Sequence, residues 1–253
     1  MIGRPASGSL SPFMRTVEKG ILGLLICAAA VAGLLAAPPA PAAAPASPPP
    51  AQAPSDDATS THRFTGVDRW VRIFDDPDRD AWQKPQEVVR ALGLKPGMMV
   101  ADLGAGTGYF LRHLAKAVAP GGVVLAIDPE AEMVAHMAGR VKKEGLDNTI
   151  PVLSLPEEPF LPAGRVDVVL IVDTFHHIDD RLDYFARMKR ALAPGGRVAV
   201  IDFHKRPLPV GPPPEHKLAR EFVLDEMKRG GWRLLDEKTF LPHQYFLIFA
   251  PGG

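Results

Sequence analysis

The 253-residue sequence predicts an open, doubly wound α/β domain. Short apolar runs at 98–103, 123–127 and 166–172 lack polar alternation and read as strands buried on both faces. Segments with helical spacing lie between them, and Pro-Gly-Gly turns at 120–122 and 194–196 close two of the units. Strands alternating with helices in this way build a parallel sheet covered on both sides.

Taken from the start, the chain opens on a segment that does not belong to the domain. Residues 20–37 (GILGLLICAAAVAGLLAA) carry no charge, and Arg15 and Lys19 precede them. A basic flank, an apolar run and then small residues is the layout of a secretory signal, and 18 residues also suffice for a tilted membrane span. Two readings stay open for 1–37: a signal peptide cleaved near Ala42-Ala43-Ala44, or a retained anchor. In both, the basic residues stay on the cytoplasmic side, so the domain is expected outside the cytoplasm, periplasmic or membrane-anchored. Residues 38–60 follow as a Pro/Ala-rich disordered linker, because a stretch so poor in amide hydrogens and large apolar side chains cannot form a core. The folded domain spans 61–253.

Within it, 80–92 turns helical around Pro85, which suits a first turn. Strand 98–103 leads to a helix over 107–118, with Phe110, Leu111, Leu114, Ala115 and Val118 on one face. Strand 123–127 ends at Asp128, an amphipathic helix covers 131–144, and strands follow at 150–155 and 166–172. Helix 181–192, strand 197–203, a Pro-rich loop at 207–214 and helix 215–228 come next. Segments 233–240 and 245–249 form a terminal antiparallel pair, separated at Pro242.

Composition removes several functions. Lys plus Arg and Asp plus Glu each number 29, so the chain lacks the basic footprint of a nucleic-acid binder. The single cysteine, Cys27, lies in the apolar run, which excludes intrachain disulfides and cysteine-based zinc sites.

After the first strand the sequence reads Asp102-Leu103-Gly104-Ala105-Gly106-Thr107-Gly108-Tyr109. Glycines at 104, 106 and 108 permit a tight turn pressed against a ligand, in GxGxG spacing that differs from the GxGxxG of dinucleotide sites. Asp102 would crowd a pyrophosphate but suits an ammonium group. Asp128, ending the second strand, can accept both hydroxyls of a ribose.

DLGAGTG with an acidic second-strand end resembles the class I S-adenosylmethionine-dependent methyltransferases. The segments VDVVLIVDTFHHIDD and ALAPGGRVAVIDF are similar to the type 11-like subgroup that includes ubiquinone-biosynthesis methyltransferases. The resemblance implies a mostly parallel seven-stranded sheet with a C-terminal antiparallel hairpin and S-adenosyl-L-methionine as cofactor. It places Asp102 and the backbone of Gly104 and Gly106 at the methionine end and Asp128 on the ribose, with Ala105, Gly108 and Tyr109 also among the cofactor-binding residues. Pro129 and Leu155 would flank the adenine, with Asp173 on the sulfonium side.

The implied activity is methyl transfer to an acceptor that the sequence does not identify, with a small molecule favoured. An exported adenosyl-binding module without turnover is the alternative. Asp173, His176, His177 and His204 follow strands four and five, where an acceptor would sit, and are the candidates for a base, with packing as their other reading. No metal is expected, because adjacent His176 and His177 cannot easily face one ion. Trp70, Trp82 and Tyr109 could build an aromatic lid, and His204-Lys205-Arg206 could hold an anionic group.

Overall fold

The computed structural model describes residues 66–252. The expected signal or anchor (1–37), the linker (38–60) and the domain start at 61 lie outside the described residues. Among the described residues, no helix is long and apolar enough to cross a membrane.

One seven-stranded sheet carries the fold. Its strands are β1 (Met99–Leu103), β2 (Val123–Asp128), β3 (Thr149–Leu153), β4 (Val166–Val172), β5 (Leu192–Phe203), β6 (Trp232–Lys238) and β7 (Gln244–Pro251). They run in the order β3-β2-β1-β4-β5-β7-β6, with β7 antiparallel to both of its neighbours and the others parallel. The helices are α1 (Val67–Phe74), α2 (Arg79–Gln83), α3 (Pro85–Leu92), α4 (Leu111–Val118), α5 (Ala131–Glu144), α6 (Arg181–Met188) and α7 (Arg220–Arg229). One face of the sheet packs Phe175, Phe185, Met188 and Trp232, and the other Val88, Leu92, Leu111, Leu114 and Phe246. The strand order reverses between β1 and β4, which opens a crevice at their carboxyl ends.

Several expected boundaries shift, for local reasons. Helix α4 starts at Leu111 rather than at 107, because Gly104, Gly106 and Gly108 all adopt positive φ and hold the chain in a turn. The helix expected over 181–192 leaves α geometry after Met188, and its last turn, Lys189–Ala191, is 3-10. Strand β5 begins five residues early at Leu192, and its register against β4 shifts between Val166 and Val168 to absorb the Pro-Gly-Gly segment. The helix expected over 215–228 divides into a 3-10 turn, Pro214–His216, and α7, with the fully buried Lys217 and Leu218 extended between them. Strand β3 ends at Leu153, two residues short of Leu155.

The 80–92 segment is two helices. Lys84 takes φ 48° ahead of Pro85, whose ring disfavours helical geometry in the preceding residue. Helix α1 is an element absent from the sequence expectations.

Candidate active site

Three carboxylates meet at the carboxyl ends of adjacent strands. The turn after β1 is fixed first: the amides of Gly104 and Ala105 both donate to the Ile127 carbonyl, at 2.8 and 3.0 Å. A Cβ on Gly104, at φ 71°, would lie 2.3 Å from Thr174 Oγ1, so the turn packs directly against the start of the segment after β4. Asp128 is oriented by backbone. Its Oδ2 accepts from Gly106 N at 2.8 Å and its Oδ1 from Glu130 N at 2.9 Å. Each oxygen retains acceptor capacity for a ribose hydroxyl. Burial pushes this carboxyl up to about 6 against the pull of the two amides.

Asp102, 3% exposed, receives no hydrogen bond from the described residues. Burial raises it to about 7, with Arg79 opposing and Asp128 adding to the rise. A buried carboxylate with no donor of its own is costly unless a cation completes it. Asp173, at φ 52°, donates its amide to Ile201 O at 2.9 Å, a bond that binds the end of β4 to β5. Burial and the neighbouring Asp202 raise its carboxyl to about 7, while Arg79 opposes.

A closed ring of polar contacts surrounds Asp173. Gln244 Nε2 donates to Asp173 Oδ1 at 2.7 Å, and Gln83 Nε2 donates to Gln244 Oε1 at 2.7 Å. Arg79 donates to Gln83 Oε1 through Nε at 3.3 Å and Nη2 at 3.2 Å. The same Nη2 stands 3.9 Å from Asp173 Oδ2.

The histidines occupy two places. His176, in the 3-10 turn Phe175–His177, sits with Nδ1 2.8 Å from Oδ2 of the fully buried Asp202. Asp202 Oδ1 accepts from Phe203 N at 2.8 Å, so the aspartate is held on both sides. Burial works against a charged His176, but Asp202 outweighs it and raises the pKa. The His177 ring lies 4.1 Å from that of His176. His204 is separate, packed edge-on against Tyr245 at 6.0 Å, and burial lowers its pKa. Among the described residues no group of three or more His, Cys, Asp or Glu is placed to share a metal ion.

The aromatic trio does not form one lid. Trp70 stacks on Phe74 at 5.3 Å, whereas Trp82 packs on Phe203 at 5.7 Å and His243 at 6.2 Å. Tyr109 instead donates its hydroxyl to Asp80. One cation serves Tyr109 and Trp82 together: the Arg79 guanidinium lies 4.1 Å from the Tyr109 ring centre and 5.9 Å from that of Trp82, while Arg69 stands over Trp70 at 5.2 Å. His204, Lys205 and Arg206 line a groove of about 470 Å³ with Arg220 and Glu221, where Arg220 is already paired with Glu237 and Glu221. Pro129 and Leu155 are both exposed, and the buried Ser154 bonds Asp128 O through its amide at 3.1 Å.

Helices α1 and α2 are clipped onto the glycine loop. Asp75 accepts from Thr107 Oγ1 at 2.9 Å and from Arg140 Nη1 at 3.0 Å, and Arg140 also bonds Thr107 O. Glu132 Oε2 accepts from Gly66 N and Val67 N, capping α1 from a distant helix. Arg79, Gln83, Gln244, Asp202 and this clip are absent from the sequence expectations. The signals for them were faint: a charge inside the apolar strand VAVIDF, and amides in otherwise unremarkable segments.

Comparison with known proteins agrees with this geometry. A methyltransferase-domain family model matches residues 100–196. A solved SAM-dependent methyltransferase from Aquifex aeolicus is 31% identical, with TM-score 0.69, over 73% of this chain and 97% of that one. The chain belongs to the S-adenosylmethionine-dependent methyltransferases. Among curated relatives of this methyltransferase, the ubiquinone/menaquinone biosynthesis C-methyltransferase UbiE of Ectopseudomonas mendocina is 32% identical over 45% of this chain and 44% of that protein. Nocamycin O-methyltransferase of Saccharothrix syringae is 32% identical over 54% and 45%. The matches therefore span about half the length of these curated relatives. S-adenosylmethionine is the family's cofactor, and the residues present fit it: the buried Asp102 receives no hydrogen bond from the described residues, and Asp128 is oriented with acceptor capacity to spare. The seven-stranded order with its terminal antiparallel hairpin is the architecture that the methyltransferase resemblance implied.

Proposed function

We propose that this methyltransferase transfers a methyl group from S-adenosylmethionine to a small-molecule acceptor. The observation that carries the reading is the convergence of Asp102, Asp128 and Asp173 beside the glycine loop. When bound, the cofactor supplies an electrophilic methyl group on a sulfonium. Asp128 would hold the ribose hydroxyls and Asp102 the ammonium. The two relatives above are named for carbon and oxygen methylation, and both names refer to small-molecule chemistry.

His176 would take the acceptor's proton. Asp202 occupies Nδ1, so Nε2 is the nitrogen left to accept, and the buried carboxylate stabilises the imidazolium that results. A base of this kind is needed where the acceptor is a hydroxyl or a carbon acid, whose proton is hard to lose.

Calorimetry with S-adenosylmethionine and S-adenosylhomocysteine tests cofactor binding, and mass spectrometry of extracts incubated with the domain tests turnover. The expected result is saturable binding of both and a product heavier by one CH₂. No affinity for either ligand would sink the reading. Binding of both without any product would favour a module without turnover.

A further inference from the structure

Arg79 has no role in the family-matched region, because it lies ahead of residue 100 on α2. Its surroundings are unusual for an arginine in so short a helix. The side chain is 12% exposed, lies face-on to Tyr109 immediately after the last glycine of the loop, and reaches toward Asp173. Phe74 O accepts from Nη1 at 2.8 Å, and Gln83 Oε1 accepts from Nε and Nη2. Of the five guanidinium donors, one N–H on each terminal nitrogen therefore has no acceptor within hydrogen-bond distance among the described residues. Those are the donors that a carboxylate can engage together.

The charges nearby form a pattern. Asp102 and Arg79 each feel the other's field, and Asp173 Oδ2 lies 3.9 Å from Arg79 Nη2. S-adenosylmethionine carries an ammonium, a sulfonium and a carboxylate around one sulfur. The chain offers two carboxylates and one guanidinium. Asp102 and Asp173 answer the two cations, and Arg79 answers the anion.

On the reading of the cleft as a cofactor site, we propose that Arg79 binds the carboxylate of the cofactor's amino-acid end, so that Arg79 and Asp102 together recognise a zwitterion. Helix α2 thereby becomes part of the binding site. The polar ring through Gln83 and Gln244 is what holds the guanidinium in place.

Three ligands test this by calorimetry on the protein as it exists. S-adenosylhomocysteine carries both charges of the amino-acid end, decarboxylated S-adenosylmethionine keeps the ammonium, and 5′-methylthioadenosine has neither. Arg79→Met should weaken S-adenosylhomocysteine binding by about 10–100-fold, the range of a lost charge-assisted bond, and leave the other two within about twofold. Arg79→Lys, which keeps the charge but not the fork, should show a smaller loss with the same selectivity. Equal weakening of all three ligands in both variants would overturn the proposal, since Arg79 would then only support the fold. Unchanged S-adenosylhomocysteine affinity in a folded variant would overturn it as well. If the wild-type chain bound none of the three, the failure would lie in the cofactor site itself and would remove both readings.

Discussion

Gln83 donates through Nε2 to Oε1 of Gln244 at 2.7 Å, joining residues 161 apart in the sequence, and both side chains are almost wholly buried. The bond ties the short helix α2 to the first residue of the last strand. Each amide also serves a charged neighbour, Gln83 accepting from Arg79 and Gln244 donating to Asp173. A buried amide pair of this kind is tolerated only when every donor and acceptor is matched, so the two residues depend on each other.

Replacing one amide should therefore cost more than its share. Gln83→Leu leaves the Gln244 carbonyl oxygen and the Arg79 donors without a partner in a dry site, a loss of about 1–3 kcal/mol. The double change Gln83→Leu/Gln244→Leu should cost less than the sum of the singles. Urea denaturation of the three variants, with midpoints compared at constant slope, checks this. Strict additivity would show that the amides act independently.

Asp102→Asn should move two observables in opposite directions. Asp102 has a folded pKa of about 7, above its unfolded value of 3.8, so its contribution to stability without cofactor is full below that unfolded value and lost as pH rises through about 7. The isosteric amide removes this loss, and the cofactor-free variant should melt higher than the wild type at pH 8. Cofactor affinity should fall by about 10–100-fold, because the ammonium loses a charged partner. In the wild type an incoming ammonium favours the ionised carboxylate, so binding near pH 6.5 should release protons. Calorimetry in two buffers of different ionisation heat measures that release, which the variant should lack.

Gly104→Ala should damage the fold at the site. A non-glycine residue at φ 71° costs about 1–2 kcal/mol, and the new Cβ would meet the Thr174 side chain at 2.3 Å. Adding Thr174→Ala removes the two contacts at 2.3 Å but leaves the residue's Cβ 2.8 Å away and the backbone unchanged, so thermal melting should show partial recovery. Full recovery would mean that the conformation at 104 adapts freely.

The apolar run at 20–37, with Arg15 and Lys19 on one side only, leads us to expect that the domain is translocated. Alkaline phosphatase fused after residue 60 should be active, and a cytosol-only fluorescent reporter at the same place should stay dark. The reverse pattern would place the domain in the cytoplasm.

The parts legible in the sequence were those whose partners are close by or whose pattern is periodic. The apolar runs of β1, β2 and β4 read as buried strands because short uninterrupted runs between turn signals fit them, and three glycines between Asp102 and Tyr109 read as a tight turn. Asp128 was readable because strand ends in such sheets face the ligand. Helix α1 was not, since none of its residues is buried and its cap, Glu132, comes from another helix. Arg79 and Gln83 carried no local signal, because the partner that completes their polar contacts, Gln244, lies far along the chain. His176 was visible as a candidate, but Asp202, which gives it chemical character, showed only as a charge inside an apolar strand.

Strand β7 lies between β5 and β6 although it follows both of them in the sequence. Until it arrives, β6 has no strand to pair with, β5 keeps an open edge, and Gln244 is absent from the ring around Asp173. On a growing chain, the polar ring around Asp173 is therefore closed only once β7 has been made. A nascent domain stalled before residue 244 would own its glycine loop and Asp128 yet lack the contacts that set Asp173 and Arg79. Ribosome-bound intermediates of this protein would then expose a sheet edge, a hazard that ends with the eight-residue strand β7.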